Sequence, residues 1–68
     1  MTREVIEKLP PNVREKIEAF RRERKGFEGD YLRQDLIRER AGGYTQGLCD
    51  GGLLTDRERQ IVFIYTTV

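Results

Sequence analysis

The chain has no histidine, no serine and no tryptophan, and it has a single cysteine. Each absence removes a class of function. Without serine or histidine the usual nucleophile and general-base pairs cannot be assembled, and the chain is not expected to be an enzyme. Cys49 alone cannot close an internal disulfide, and a lone thiol suits a reducing compartment. One cysteine among scattered carboxylates gives no zinc-ligand spacing, so neither a metal nor another cofactor is expected. No sign of charge dominates either: 13 Lys and Arg against 12 Asp and Glu leave a net charge of +1. General nucleic-acid or membrane-surface binders carry a large positive excess instead. The longest apolar run, Ile61 to Tyr65, is far too short to cross a bilayer. The opening M-T-R-E-V-I-E-K-L is charged throughout, unlike a secretory signal. A soluble, cytoplasmic protein with no membrane partner is expected.

What is present favours helices. Charged residues make up 37% of the chain, and Glu, Arg, Leu and Ile are plentiful. A single domain over residues 1–68 is expected. A chain this short buries only about 60% of the surface its unfolded form exposes. With disulfides and metals excluded, helix packing or self-association has to stabilise it. Thr2 is placed to cap a short helical turn, Arg3 to Leu9, with Glu4 and Lys8 at i, i+4 spacing. Pro10 and Pro11 end that turn. Asn12 with Glu15 then resembles a capping box, although Pro11 also suits a first helical position. Val13, Ile17 and Phe20 form the apolar stripe of this second helix, which Gly26 stops. Asp30 is the expected N-cap of a third helix, Tyr31 to Cys49, with the stripe Leu32/Leu36/Ile37, Ala41, Tyr44 and Leu48. The helical phase passes through Gly42 and Gly43, which favours one continuous helix over two pieces broken there. Asp50-Gly51-Gly52 closes it.

Thr55 and Glu58 form a T-x-x-E capping box, opening a last helix from Asp56 to about Thr66. Its second half, I-V-F-I-Y-T-T-V, is rich in β-branched and aromatic residues. A strand there would have to pair with another molecule, so helix is the leading assignment and intermolecular strand pairing the alternative. The expected fold is all-α: a small three-helix domain with a short N-terminal helical turn and a C-terminal antiparallel helical hairpin. The expected core is Val13, Ile17, Phe20, Leu32, Leu36, Ile37, Tyr44, Leu48, Leu54, Ile61, Ile64 and Tyr65.

Few residues invite a chemical role. Asp35 and Glu39 share a helix face, where a solvated surface explains them better than acid–base work. The glycines lack the G-K-[ST] of a phosphate loop, and Asp50 to Asp56 lacks the alternating acidic ligands of a calcium loop. Gly43-x-x-x-Gly47 puts two positions without side chains on one helix face, open to a close neighbour, either the last helix or a second protein. Cys49 falls at a helix C-terminus, where the dipole disfavours thiolate, and reads as a half-buried packing residue. The one basic cluster is Arg21, Arg22, Glu23, Arg24 and Lys25, which Arg33, Arg38 and Arg40 could extend across an antiparallel neighbour. It would bind phosphates or an acidic partner in a salt-dependent way, or else serve as helix-end charge complementation.

Leu54-Thr55-Asp56-Arg57-Glu58-Arg59-Gln60-Ile61-Val62 resembles the opening helix of LuxR-type DNA-binding domains. No recognition helix follows these residues in the sequence, so the likeness implies shared capping and not shared DNA contacts. The longer span from Gly43 to Tyr65 is similar to a helical hairpin of short proteins from phages and other mobile elements of Gram-positive bacteria. That resemblance implies a small non-enzymatic protein that binds and blocks a larger host protein, as anti-CRISPR inhibitors do with host nucleases. It carries over no functional residue.

Ile61 to Tyr65 is apolar all round a helix, more than a three-helix domain can cover. Val62, Phe63 and Tyr65, with Gly43 and Gly47, are therefore the expected protein interface, facing a target protein or a second copy. The leading function is a protein-interaction module, an inhibitor or adaptor. The alternative is a nucleic-acid-associated transcriptional regulator using Arg21, Arg22, Arg24, Lys25 and Arg33.

Overall fold

The computed structural model describes residues Met1–Val68 and contains four helices and no strand: α1 (Thr2–Lys8), α2 (Pro11–Gly26), α3 (Tyr31–Asp50) and α4 (Asp56–Thr67). The all-α expectation holds, and the C-terminal segment is helix. No helix is long and apolar enough to cross a membrane.

The boundaries follow local chemistry, with three corrections. Thr2 lies inside α1 and does not cap it; Met1 is the N-cap, without a side-chain bond. α1 ends because Leu9, which precedes Pro10, is extended at φ −68° and ψ 144°. α2 takes Pro11 at its start and Pro10 as N-cap, so Asn12 caps nothing. Gly26 is the last helical residue rather than the stop, and the left-handed turn residue is Gly29 at φ 87°.

Asp30 accepts from the Arg33 N–H at 3.2 Å and caps α3. α3 runs unbroken through Gly42 and Gly43 for 20 residues, about 30 Å of helix. Its C-terminal end is a Schellman turn. Gly52, at φ 85°, donates to the Cys49 carbonyl at 3.0 Å, and Leu53 donates to the Leu48 carbonyl at 2.9 Å. Thr55 and Glu58 then complete the capping box, with Glu58 N–H on Thr55 Oγ1 at 3.2 Å and Thr55 N–H on Glu58 Oε1 at 3.0 Å. Two specified ends only a few residues apart fold α3 and α4 into the expected hairpin.

The core has two parts joined by Tyr44. The larger gathers Val5, Ile6 and Leu9 from α1 with Val13, Ile17, Leu54 and Val62. The smaller comprises Phe20, Ile37 and Ala41. Tyr44 packs against both, its ring tilted 58° on Phe20 at 5.8 Å between centroids. α1 is thus a full member of the core and not an appended turn. Lys8 confirms its placement by reaching Glu58 of α4 at 3.7 Å.

Three expected core residues lie outside: Leu32 is 78% exposed, Leu36 55% and Ile64 58%. Each residue advances about 100° around a helix. Ile37, Ala41 and Thr45 therefore share the inner face of α3, and Leu32 and Leu36 sit on the opposite one. The expected stripe had combined two faces.

Candidate interaction surface

The last two turns of α4 carry residues of every character, and their sorting is set by which face meets α1, α2 and α3. Val62 and Thr66 point inward and are fully or nearly fully enclosed, and Thr67 is also buried. Val62, expected to face a partner, is a core residue with no exposed surface. The reason is positional: it lies on the line continued by Thr66, the inner line of α4. The buried threonines are tolerated because their hydroxyls bond within the helix. Thr66 Oγ1 donates to the Val62 carbonyl at 2.6 Å and Thr67 Oγ1 to the Phe63 carbonyl at 2.8 Å. Thr45 does the same on α3, to the Ala41 carbonyl at 2.9 Å. With threonine taking inner positions, Ile64 and Val68 fall on the outside, and Ile61 stays half-buried against the core.

Phe63 is half-buried against α3, lining an open hollow with Asp35, Arg38, Glu39 and Gly42. A Cβ on Gly42 would lie 3.5 Å from its ring, so Gly42 is the glycine against which α4 packs. Gly43 and Gly47 are exposed, and a Cβ on either would meet nothing. They contribute no close approach to α4.

Tyr65 is half-buried and held from two sides. Its hydroxyl donates to Glu18, and the Arg21 guanidinium lies 4.0 Å from its ring centroid. Arg21 also donates to the Tyr65 carbonyl, and Arg24 to the Val68 carbonyl at 3.5 Å. α4 has no basic residue in its own last turn. Two members of the basic cluster on α2 supply that charge from outside, next to carbonyls that would otherwise lack a partner. The hydrogen bond to Glu18, with burial adding, raises the Tyr65 phenol above its ordinary value.

Ile61, Ile64, Tyr65 and Val68 follow an i, i+3, i+4, i+7 pattern and, with Thr2 and Arg21, line an open groove of about 300 Å³. Ile64 is 58% and Val68 88% exposed. The groove is mostly apolar with one cation at its rim, a form suited to an apolar side chain of another protein.

Arg22 and Lys25 are exposed. Arg33 pairs with Asp30 at 3.5 Å and lies over the Phe27 ring at 5.1 Å. Arg21, Arg24 and Lys25 line one hollow with Thr66 and Val68 of the α4 end. Asp35 and Glu39 are exposed on α3.

At the hairpin turn Cys49 is half-buried, with Sγ 3.3 Å from Asp56 Oδ1. The Asp56 hydrogen bond, then burial, pushes the thiol above its ordinary value, the direction opposite to nucleophile activation. Glu58 moves the other way. The Thr55 backbone N–H holds its carboxyl below the usual range, with Lys8 helping.

Of the expected interface, then, Tyr65 lies at the groove, Phe63 at a second open hollow beside α3, Val62 in the core, and Gly43 and Gly47 on the far face of α3. Ile64 and Val68 were missed as surface residues. The 61, 64, 65, 68 spacing was the signal that could have found them. Comparison with protein-family models, curated protein sequences and solved structures finds no match to this chain.

Proposed function

We infer that this protein is a non-enzymatic interaction module, an inhibitor or adaptor that attaches to a larger protein through the outer edge of α4. The observation that carries this is the Ile61–Ile64–Tyr65–Val68 stripe, in which Ile64 and Val68 are exposed and Ile61 and Tyr65 form a half-buried floor against the core. The i, i+3, i+4, i+7 spacing is that of helices which seat their apolar face on a partner. The helix bearing it is fixed at both ends, by the capping box and by Arg21 and Arg24. Such preorganisation lowers the ordering cost of binding. Blocking a host nuclease, as anti-CRISPR proteins do, is one form this activity would take.

The test is retention from a host-cell extract on immobilised wild-type protein and on Ile64→Asp. Ile64 is exposed, so the variant should keep its helical circular dichroism. Saturable capture of a particular protein by the wild type, lost with Ile64→Asp, is the expected result. Equal capture by both, or none by either, would overturn the assignment.

A further inference from the structure

The first turns of α3 present a second apolar surface. Leu32 and Leu36 lie one helical turn apart, opposite the core face, and are mostly exposed. At about 100° per residue, Asp35 flanks this leucine ridge on one side and Arg33 and Arg40 flank it on the other, while Glu39, seven residues after Leu32, lies on the ridge itself. All four are exposed. The face is therefore sorted into an acidic edge, an apolar centre and a basic edge.

A surface sorted in this way is complementary to itself in one orientation only. If two copies run side by side in the same direction, a two-fold axis along the helices sets each acidic edge on the partner's basic edge. Leu32 and Leu36 then meet their own counterparts, as does Glu39 one heptad beyond Leu32, whose facing carboxylates limit the strength of the contact. In the antiparallel orientation the axis crosses the helices and sets acidic on acidic and basic on basic, which costs binding energy. Asp35 and Arg40 are five residues apart, the spacing that pairs flanking charges across parallel two-stranded helices. Beyond the leucines, Gly43 and Gly47 leave the same face free of side chains, so nothing blocks a closely crossing neighbour.

We propose that the outer face of α3 binds a second copy of this chain in parallel, giving a two-fold dimer that presents two α4 edges. The proposal stands whether or not the α4 edge takes a partner, because the two surfaces lie on different helices.

The interface is small, so the dissociation constant should be on the order of 0.1 mM, measurable by sedimentation equilibrium. Leu36→Asp should weaken the dimer by about a hundredfold while leaving the circular dichroism unchanged, since it buries an unpaired carboxylate. Two further variants test the charge arrangement. Asp35→Arg makes both edges basic, and Arg33→Glu with Arg40→Glu makes both acidic. Each should be monomeric alone, and the two mixed should form a heterodimer tighter than the wild-type dimer. Orientation is read from Leu32→Cys in a Cys49→Ala background. Oxidation should give a disulfide-linked dimer, because position 32 meets its own counterpart only in the parallel arrangement. A wild-type protein that stays monomeric at about 1 mM, a dimer indifferent to Leu36→Asp, or the absence of a Leu32→Cys disulfide would each overturn the proposal.

Discussion

Replacing Val62 with alanine removes two methyl groups from a side chain with no exposed surface. The lost transfer free energy is about 0.8 kcal/mol per carbon, or about 1.6 kcal/mol in all. The unrelaxed cavity brings the cost to roughly 2–3 kcal/mol. A domain of this length has a total stability of roughly 3–10 kcal/mol, so the variant should sit close to its folding limit. At about 4–8 °C per kcal/mol, Tm should fall by roughly 10–20 °C. With a urea m-value of about 1 kcal/mol/M, the midpoint should drop by about 2 M. Ile64→Ala is the control. It deletes more carbon, but from a side chain that is 58% exposed, and alanine is the better helix former. Its cost should stay within about 1 kcal/mol. If Ile64→Ala proves as costly as Val62→Ala in matched urea titrations, Ile64 and not Val62 alone faces the core, and the groove loses its basis.

Arg21→Ala, which removes both the stack on Tyr65 and the bond to its carbonyl, should cost about 1 kcal/mol, whereas exposed Arg22→Ala should cost less than about 0.5 kcal/mol in the same titrations. Gly43→Ala should stabilise the monomer by roughly 0.5–1 kcal/mol, because a Cβ there meets nothing. Gly52→Ala should cost about 1–2 kcal/mol because of its positive φ, and thermal melts in dilute solution separate the two. The raised Tyr65 value means that its contribution to stability is complete below the ordinary phenol range and is lost as pH rises through the folded-state value. Glu18→Gln should bring the Tyr65 titration back toward normal, read by tyrosinate absorbance in a Tyr31→Phe, Tyr44→Phe background. Glu58 has the opposite sign: its contribution is present above the ordinary carboxylate range and is lost as pH falls through its lowered value. Glu58→Gln should flatten that limb of the acid stability profile.

Helix identity was legible in the sequence because capping and turn chemistry is local. Asp30, Thr55 with Glu58, and the Gly51-Gly52 turn each specify an end through residues within a few positions, and all three expectations hold. Which face points inward was less legible, because it depends on neighbours distant in sequence. α3 carries apolar residues on two faces, so the stripe from Leu32 to Leu48 drew Leu32 and Leu36 into the core on spacing alone. α4 is apolar all round from Ile61 to Tyr65. Its rotation depends on which face meets α1, α2 and α3, and Val62 joins Val5, Ile6 and Leu9 of α1 in the larger core cluster. The two prolines made α1 look like an isolated turn and hid that contribution. The role of Arg21 and Arg24 was out of reach for the same reason: their partners at Tyr65 and Val68 lie 44 residues away.

The claim that α4 carries the working surface is tested most directly by hydroxyl-radical footprinting of the protein alone and with its captured partner. Protection of Ile64 and Val68 on binding, with Arg22 and Lys25 still reactive, is the predicted pattern. Protection centred on Arg22 and Lys25, with Ile64 as reactive as in the free protein, would contradict it.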